Sequence, residues 1–338
     1  MVFRKSAFLA ARGFAVSKGS SFLGTPSRDL VARHLLCLSS LKGSEILELI
    51  ELALEYKKLR QKGVRLTREL EGKSVAMVFE KPSTRTRASF AVAVYEMGGQ
   101  PFVYGKDELQ LGRGEPIRDT ARTLSRYHDA IAARVFRHES LEEMAVFSSV
   151  PVINLLSDKA HPLQALADYM TILEKLGRIQ GVKLAFVGDG TDNVFRSLAV
   201  AGLKLGVEVR VASPPQYAPD KRELELLAGE VKGSLKVFED PVEAVKGSDV
   251  IYTDVFVSMG QEREREERLK VFLPRYRVTK TLLEEAGEGA IFMHCLPAKR
   301  GEEVDNEVIE SYASVVFNQA ENRLHTAKAV LRYLMISK

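Results

Sequence analysis

The segment Glu80-Lys81-Pro82-Ser83-Thr84-Arg85-Thr86-Arg87 gathers three hydroxyls and two guanidinium groups directly after an apolar run. Ser83 is expected to cap a helix that begins just beyond it. A helix N-terminus leaves its first amides without partners and carries partial positive charge, so phosphate is the kind of anion it favours. Thr84 and Thr86 add hydroxyls, and Arg85 adds a bidentate fork for phosphate oxygens. Taken alone, the same residues also suit a capped surface helix with solvated arginines. In His161-Pro162-Leu163-Gln164, proline suits the first helical position, which places His161 at the cap and Gln164 one turn further on. Both side chains can then face one ligand, although a satisfied buried histidine is the plainer reading of that tetrapeptide by itself. Cys295 ends the apolar run Ala290-Ile291-Phe292-Met293 beside His294, where an inert core thiol is the competing reading.

Positioning these groups requires an α/β framework. From about residue 29 onward, short β-branched runs alternate with helical patterns, the signature of a parallel sheet flanked by helices. Strands are expected at Ser74 to Glu80, Pro101 to Tyr104, Ala130 to Phe136 and Val150 to Leu155, with helices at Gly43 to Leu59, Thr84 to Met97, Pro116 to Tyr127 and Glu139 to Phe147. A long helix from Pro162 to Leu176, ending at Gly177, forms the hinge to a second series. That series has strands at Lys183 to Asp189, Val207 to Ala212, Val250 to Phe256, Ala290 to Leu296 and Ser314 to Phe317, and a closing helix from Glu321 to Met335. Asn193 follows Val187-Gly188-Asp189-Gly190 at a strand-to-helix turn, a place where α/β sheets commonly bind ligands, and Asp254 sits at a strand's C-terminal end. The expected layout is a basic leader at 1–28, a first domain at 29–161, the linking helix at 162–177, a second domain at 178–320, and a C-terminal helix at 321–338 that packs back toward the first domain. Each domain carries a parallel sheet flanked by helices, and the active site lies in the cleft between them.

The 338 residues agree with two cores on a prior of roughly 150 residues per domain. No apolar stretch reaches the roughly 18 residues that a membrane span needs, and the two cysteines exclude a disulfide scaffold and favour a reducing compartment. The net charge of +4 is unevenly spread: Arg4, Lys5, Arg12, Lys18 and Arg28 face no acid within residues 1–28, which leaves −1 on the rest. A near-neutral body argues against nucleic-acid binding. The serine-rich basic leader has the look of an organellar transit peptide, so the mitochondrial matrix is the alternative to a cytoplasmic location. Scarce Asn and Gln, 13 in all, instead suit a prokaryote of hot environments.

The phosphate segment together with Asp119-Thr120-Ala121-Arg122, Ala133-Arg134, His161 to Asp168, Asp254-Val255-Phe256-Val257-Ser258-Met259-Gly260 and His294-Cys295-Leu296-Pro297 resembles the aspartate/ornithine carbamoyltransferase family, over residues 33 to 338. Ser258-Met259-Gly260 and His294-Cys295-Leu296-Pro297 point to its ornithine branch. The resemblance implies transfer of a carbamoyl group from carbamoyl phosphate to the side-chain amine of L-ornithine, giving citrulline and phosphate, with no metal and no organic cofactor. It also implies roles. Ser83, Thr84, Arg85, Thr86, Gln110, Arg134, His161, Gln164, Cys295, Leu296 and Arg323 would bind carbamoyl phosphate, with Arg134, His161 and Cys295 catalytic. Asn193 and the backbone near Met259 would hold the ornithine carboxylate, while Asp254 and Ser258 would hold its α-ammonium. Cys295 would position the amine and accept its proton rather than attack as a nucleophile. Gln110 would reach a neighbouring subunit's site, in a homotrimer or a multiple of trimers.

Two positions depart from the family pattern. Phe256 stands where tryptophan is common, and keeps an aromatic surface. Asp192 stands where an Asn-Asn pair is common, and a charge there should weaken carboxylate binding unless it points away. Putrescine and acetylated ornithine are the nearest alternative substrates, disfavoured because one lacks the carboxylate and the other the ammonium. Gly188-x-Gly190 begins like a dinucleotide fingerprint, but it lacks the third glycine, and the strand from Val207 ends at Ser213 with no acid for a ribose hydroxyl. A catalytically silent relative is the non-enzymatic alternative, and a citrulline assay separates it.

Overall fold

A computed structural model describes residues 34–258 and 260–336. The leader at 1–28, Met259 and the last two residues lie outside the described residues. In the first half, α1 (Gly43–Gln61) is followed by β1 (Ser74–Phe79), α2 (Arg85–Glu96), β2 (Gln100–Gly105), α3 (Ile117–Tyr127), β3 (Ala130–Arg134), α4 (His138–Phe147), β4 (Val152–Leu156) and α5 (Pro162–Leu176). The second half continues with β5 (Lys183–Val187), α6 (Asn193–Leu205), β6 (Glu208–Ala212), α7 (Lys221–Ala228), β7 (Ser234–Phe238), α8 (Pro241–Val245), β8 (Val250–Thr253), α9 (Arg265–Phe272), α10 (Lys280–Glu284), β9 (Ile291–His294), α11 (Asn306–Ile309) and α12 (Val316–Met335).

Strands such as β3 and β8 are buried at every position because helices cover both faces of their sheets, which is why they read as unbroken apolar runs. All pairings between these strands are parallel, in the orders β2-β1-β3-β4 and β7-β6-β5-β8-β9. Strand order reverses beside β1 and β3 in the first sheet and beside β5 and β8 in the second. Ligands of open α/β sheets bind at such switch points, beyond the strands' carboxyl ends.

The structure departs from the sequence-based expectation at three places. Ser314 to Phe317 is not a strand: Ser314 makes one isolated bridge to Phe292, and the chain then winds into α12 at Val316. Its β-prone side chains are overruled by helical burial, since Val316, Gln319, Asn322 and Arg323 share the packed face. β7 went unread because it is an edge strand in which only Leu235 is fully buried. β8 and β9 also stop at Thr253 and His294, which leaves Asp254, Phe256, Cys295 and Leu296 in loops rather than strands.

The two halves share one apolar core, which runs from Leu49 and Val75 through Leu166 and Tyr169 to Leu198, Val250 and Val330. The α5–α6 contact depends on Gly202, where a Cβ would meet Tyr169 Oη at 2.4 Å. Tyr169 donates that hydroxyl to Leu198 O at 2.7 Å. Near its start, α12 buries Gln319, Asn322 and Arg323 against the second sheet and α5, and further on it packs on α1 and α2. There the Lys328 ammonium lies 2.6 Å from the Glu96 carboxylate, both nearly inaccessible, and Lys57 meets Glu174 at 2.9 Å and Asn322 at 2.8 Å. Removing one member of a buried pair strands the other charge. Glu96→Gln should therefore cost about 3–5 kcal/mol in denaturant unfolding, and Glu96→Gln combined with Lys328→Met should cost less than the single change.

Candidate active site

The loop leaving β1 and the loop leaving β3 are stitched together, since Glu80 N donates to Arg134 O at 2.9 Å and Phe136 N to the Glu80 carboxylate at 2.7 Å. This sets Ser83 to Thr86 beside Arg134. The expected cap is corrected: Thr84, already in helical conformation, occupies the cap of α2 with no side-chain bond, and Ser83 lies outside the helix. Both hydroxyls therefore face the cleft instead of being spent on the backbone. Arg323, from α12, donates to Thr86 Oγ1 at 3.1 Å and to Gln164 Oε1, which joins α2, α5 and α12 at one point. His161 caps α5 ahead of Pro162, as its sequence implied, and its backbone N–H donates to Ser197 Oγ at 2.8 Å.

The opposite wall comes from the second half. Asp192 caps α6 by accepting from Val194 N at 2.9 Å, and Asn193 donates its amide to Ser157 O at 2.7 Å, tying the second domain to the first. Asp254 accepts from Val255 N at 2.8 Å. The Asp254 carboxylate, a His294 ring nitrogen and Cys295 Sγ lie within 4.8 Å of one another. Both His294 nitrogens are already engaged, with Glu303 Oε1 at 3.1 Å and Leu296 N at 2.9 Å, so the trio is a hydrogen-bonded group rather than a ready set of metal donors. Leu296 has φ of 58°, a costly backbone state for a branched residue, and it turns the chain into the cleft.

Both walls border one cavity of about 410 Å³, lined by Ser83, Thr84, Arg85, Thr86, Arg134, His161, Gln164, Asn193, Asp254, Ser258, Cys295, Leu296 and Arg323. That unites every expected site residue except two. Gln110 lies on an exposed 3-10 turn and does not reach the cavity of its own chain, and Met259 is outside the described residues. Phe256 is corrected as well: it presents no surface to the cavity but stacks on Phe272 at 4.7 Å in the core. The dinucleotide reading fails sterically. A Cβ on Gly190 would meet Pro219 Cδ at 2.5 Å and Tyr217 O at 2.8 Å, so the 213–219 segment fills the crevice over that turn.

The electrostatics of the two ends are opposite. Burial presses Arg134 and Arg323 down to about 10, still charged at neutral pH; Arg323 and Arg85 add to the effect at Arg134, and Arg85 adds to it at Arg323 against the Asp168 carboxylate. Burial and the same three arginines hold His161 far below its usual range, so its ring is neutral. Among the described residues, Arg134 Nε, His161 Nδ1 and Arg323 Nε have no hydrogen-bond partner although buried. At the other end burial raises Asp254, helped by Asp192, and lifts Asp192 to about 6, helped by Asp189. Burial and Asp254 push the Cys295 thiol well up.

A layer beneath the cavity was not singled out from sequence. Asp168 accepts from Gln164 at 2.8 Å, Gln319 at 2.7 Å and the Tyr252 hydroxyl at 3.2 Å. It fixes the Gln164 amide with its nitrogen down and its oxygen toward Arg323. The signal was present, since Asp168 lies one turn beyond Gln164, but its partners on β8 and α12 are far away in sequence.

A family model described as aspartate/ornithine carbamoyltransferase, carbamoyl-P binding domain, matches residues 33–174, and one described as the Asp/Orn binding domain matches residues 180–334. The chain belongs to the aspartate/ornithine carbamoyltransferase family. The ornithine carbamoyltransferase of Hyperthermus butylicus is 54% identical over 309 residues, covering 90% of this chain and 98% of that one. The protein of Pyrococcus furiosus named ornithine carbamoyltransferase, anabolic, is 54% identical over 310 residues, covering 91% and 98%. The solved structure of the Pyrococcus furiosus ornithine carbamoyltransferase superposes with a TM-score of 0.85 at 54% identity, covering 90% of this chain and 98% of that one.

Burial raises Asp168 to about 7, against the offsetting amides of Gln164 and Gln319, while an unfolded aspartate titrates near about 3.9. Between those values the folded chain holds a proton that the unfolded chain has lost, so Asp168's contribution to stability is present at low pH and is lost as pH rises through about 7. Relative to Asp168→Asn, which cannot titrate, the wild type should lose melting temperature between about pH 4 and 7 and then level off. A difference independent of pH, measured by thermal unfolding, would contradict the raised value.

Proposed function

We propose that this enzyme transfers the carbamoyl group of carbamoyl phosphate to the δ-amine of L-ornithine, yielding L-citrulline and phosphate. The observation that carries this reading is the single cavity of about 410 Å³ with guanidinium groups at one end and carboxyls at the other. It suits two small substrates, one anionic and one an amino acid. Phosphate oxygens sit at the start of α2 with Ser83, Thr84, Arg85 and Thr86, and Arg323 closes that side. Arg134 and a neutral His161 face the carbonyl oxygen, where charge develops as the amine attacks. Gln164 and Leu296 hold the carbamoyl amide. Asn193, with the backbone near Met259, takes the ornithine carboxylate, and Asp254 with Ser258 takes its α-ammonium.

The amine nitrogen forms a bond to the carbamoyl carbon as the bond from carbon to the bridging phosphate oxygen breaks. The proton leaves the amine for the departing phosphate or for the Asp254 carboxylate. A thiol whose pKa is raised by burial and a neighbouring carboxylate is a poor nucleophile, which supports amine positioning as the role of Cys295. Holding both substrates in one dry cleft makes the encounter effectively unimolecular. None of these steps calls on a metal or an organic cofactor.

The name of the Pyrococcus furiosus relative supports the anabolic direction, toward arginine. We further infer a homotrimer or a multiple of it, supported by the exposed Gln110 turn and by exposed Phe102, Tyr127 and Phe136 on the first domain. Two free thiols, Cys37 and Cys295, support a cytoplasmic setting.

Citrulline formation should be observed with carbamoyl phosphate and ornithine, and not with putrescine, N-acetylornithine or aspartate. Arg85→Gln should lower kcat/KM by at least about 30- to 150-fold, or roughly 2–3 kcal/mol. A variant with wild-type kcat/KM would refute the phosphate assignment.

A further inference from the structure

Asp192 borders the cavity yet has no part in the reaction as described above. Its carboxylate is divided between two tasks. Oδ2 accepts from Val194 N at 2.9 Å and caps α6, while Oδ1 lies 3.4 Å from Ser258 Oγ on the cavity wall. Asp192 is also the foremost charge acting on Asp254. The amino-acid end of the cavity therefore brings together the buried Asp254 carboxyl, the half-buried Asp192 carboxyl, the Ser258 hydroxyl and a neutral thiol.

The charges around this group do not neutralise it. Asp189, which also bears on Asp192, is itself paired with buried Arg268. Arg265 is held by Glu302 at 2.5 Å, and Lys299 stands near Glu262 at the cavity mouth. Arg85, Arg134 and Arg323 belong to the phosphate end. Two carboxyls that share a buried site cannot both ionise unless a cation joins them, so one retains a proton. The raised pKa of both groups marks that unmet demand. Asn193, the neighbouring residue, is anchored through its amide to Ser157 on the other domain, which sets the carboxylate subsite apart from this pair.

We propose that Asp192 is a specificity-determining residue: Oδ1, the oxygen beside Ser258, accepts a hydrogen bond from the α-ammonium of the amine substrate, which it shares with Asp254 and Ser258. The inference rests on the ornithine reading above. It reverses the expectation that a negative charge here weakens binding, because the ammonium, and not the carboxylate, is the group that meets it.

Asp192→Asn tests this, since asparagine still caps α6. A charge-assisted hydrogen bond replaced by a neutral one should raise KM for ornithine by about 10-fold or more, with KM for carbamoyl phosphate changed by less than about two-fold. Two competitive inhibitors separate the ends of the substrate. Binding of 2-aminopentanoate, which has the α-ammonium but no δ-amine, should weaken by the same factor. Binding of 5-aminopentanoate, which has the δ-amine but no α-ammonium, should change by less than about two-fold. Asp192→Ser, a second uncharged cap, should reproduce the pattern. An unchanged 2-aminopentanoate affinity, or equal weakening of both inhibitors, overturns the proposal. Failure of the wild type to make citrulline from ornithine would instead count against the reaction itself, and is measured first.

Discussion

Separation of charge across one water-accessible gap is the constraint on which the rest of the structure depends. Arg85, Arg134 and Arg323 crowd one end, where burial first and then neighbouring guanidinium charge lower the basicity of Arg134, Arg323 and His161. Asp192 and Asp254 crowd the other, where burial raises the pKa of both, helped by Asp189 at Asp192 and by Asp192 at Asp254. Neither group is neutralised by its own surroundings, so each end is complementary to charge of the opposite sign that the chain itself does not supply. Groups held this way need no rearrangement when charge develops during reaction, which is the source of electrostatic preorganisation. The arrangement costs stability, and the shared core must offset it.

That core also explains why the two walls stay opposed. α5 begins at His161 in the cleft and runs buried for nearly its whole length between the sheets. Asn193 reaches Ser157, and Ser197 joins His161 to Asn193, so the floor of the cleft is a web of hydrogen bonds spanning both domains. Arg323 ties the phosphate side to α5 from above.

Much of the framework and the cavity was legible because the relevant residues are local to strand ends. Pro162 and Gly177, the latter at φ of 70°, punctuate α5 at both ends, and the expected boundaries are the observed ones. Phosphate and amino-acid groups alike sit in the first turn after a parallel strand, where a short motif holds the whole signal. What escaped was long-range. Asp168 finds Tyr252 and Gln319 at separations of 84 and 151 residues, and no local pattern announces such a meeting. Ser314 to Phe317 has strand-prone side chains but takes its conformation from the helix that follows.

The placement of α12 has a consequence for how the chain is made. This helix completes the packing of α1 and α2, with Asn322 on Lys57 and Lys328 on Glu96, although Lys57 and Glu96 belong to the first half. During vectorial synthesis the amino-terminal domain therefore emerges with an uncovered apolar seam, while Glu96 and Lys57 keep only their partners Arg60 and Glu174. It cannot mature as an independent unit while the second half is still being translated. Such a nascent intermediate has to be sheltered from association until α12 arrives, a vulnerability invisible in the finished molecule.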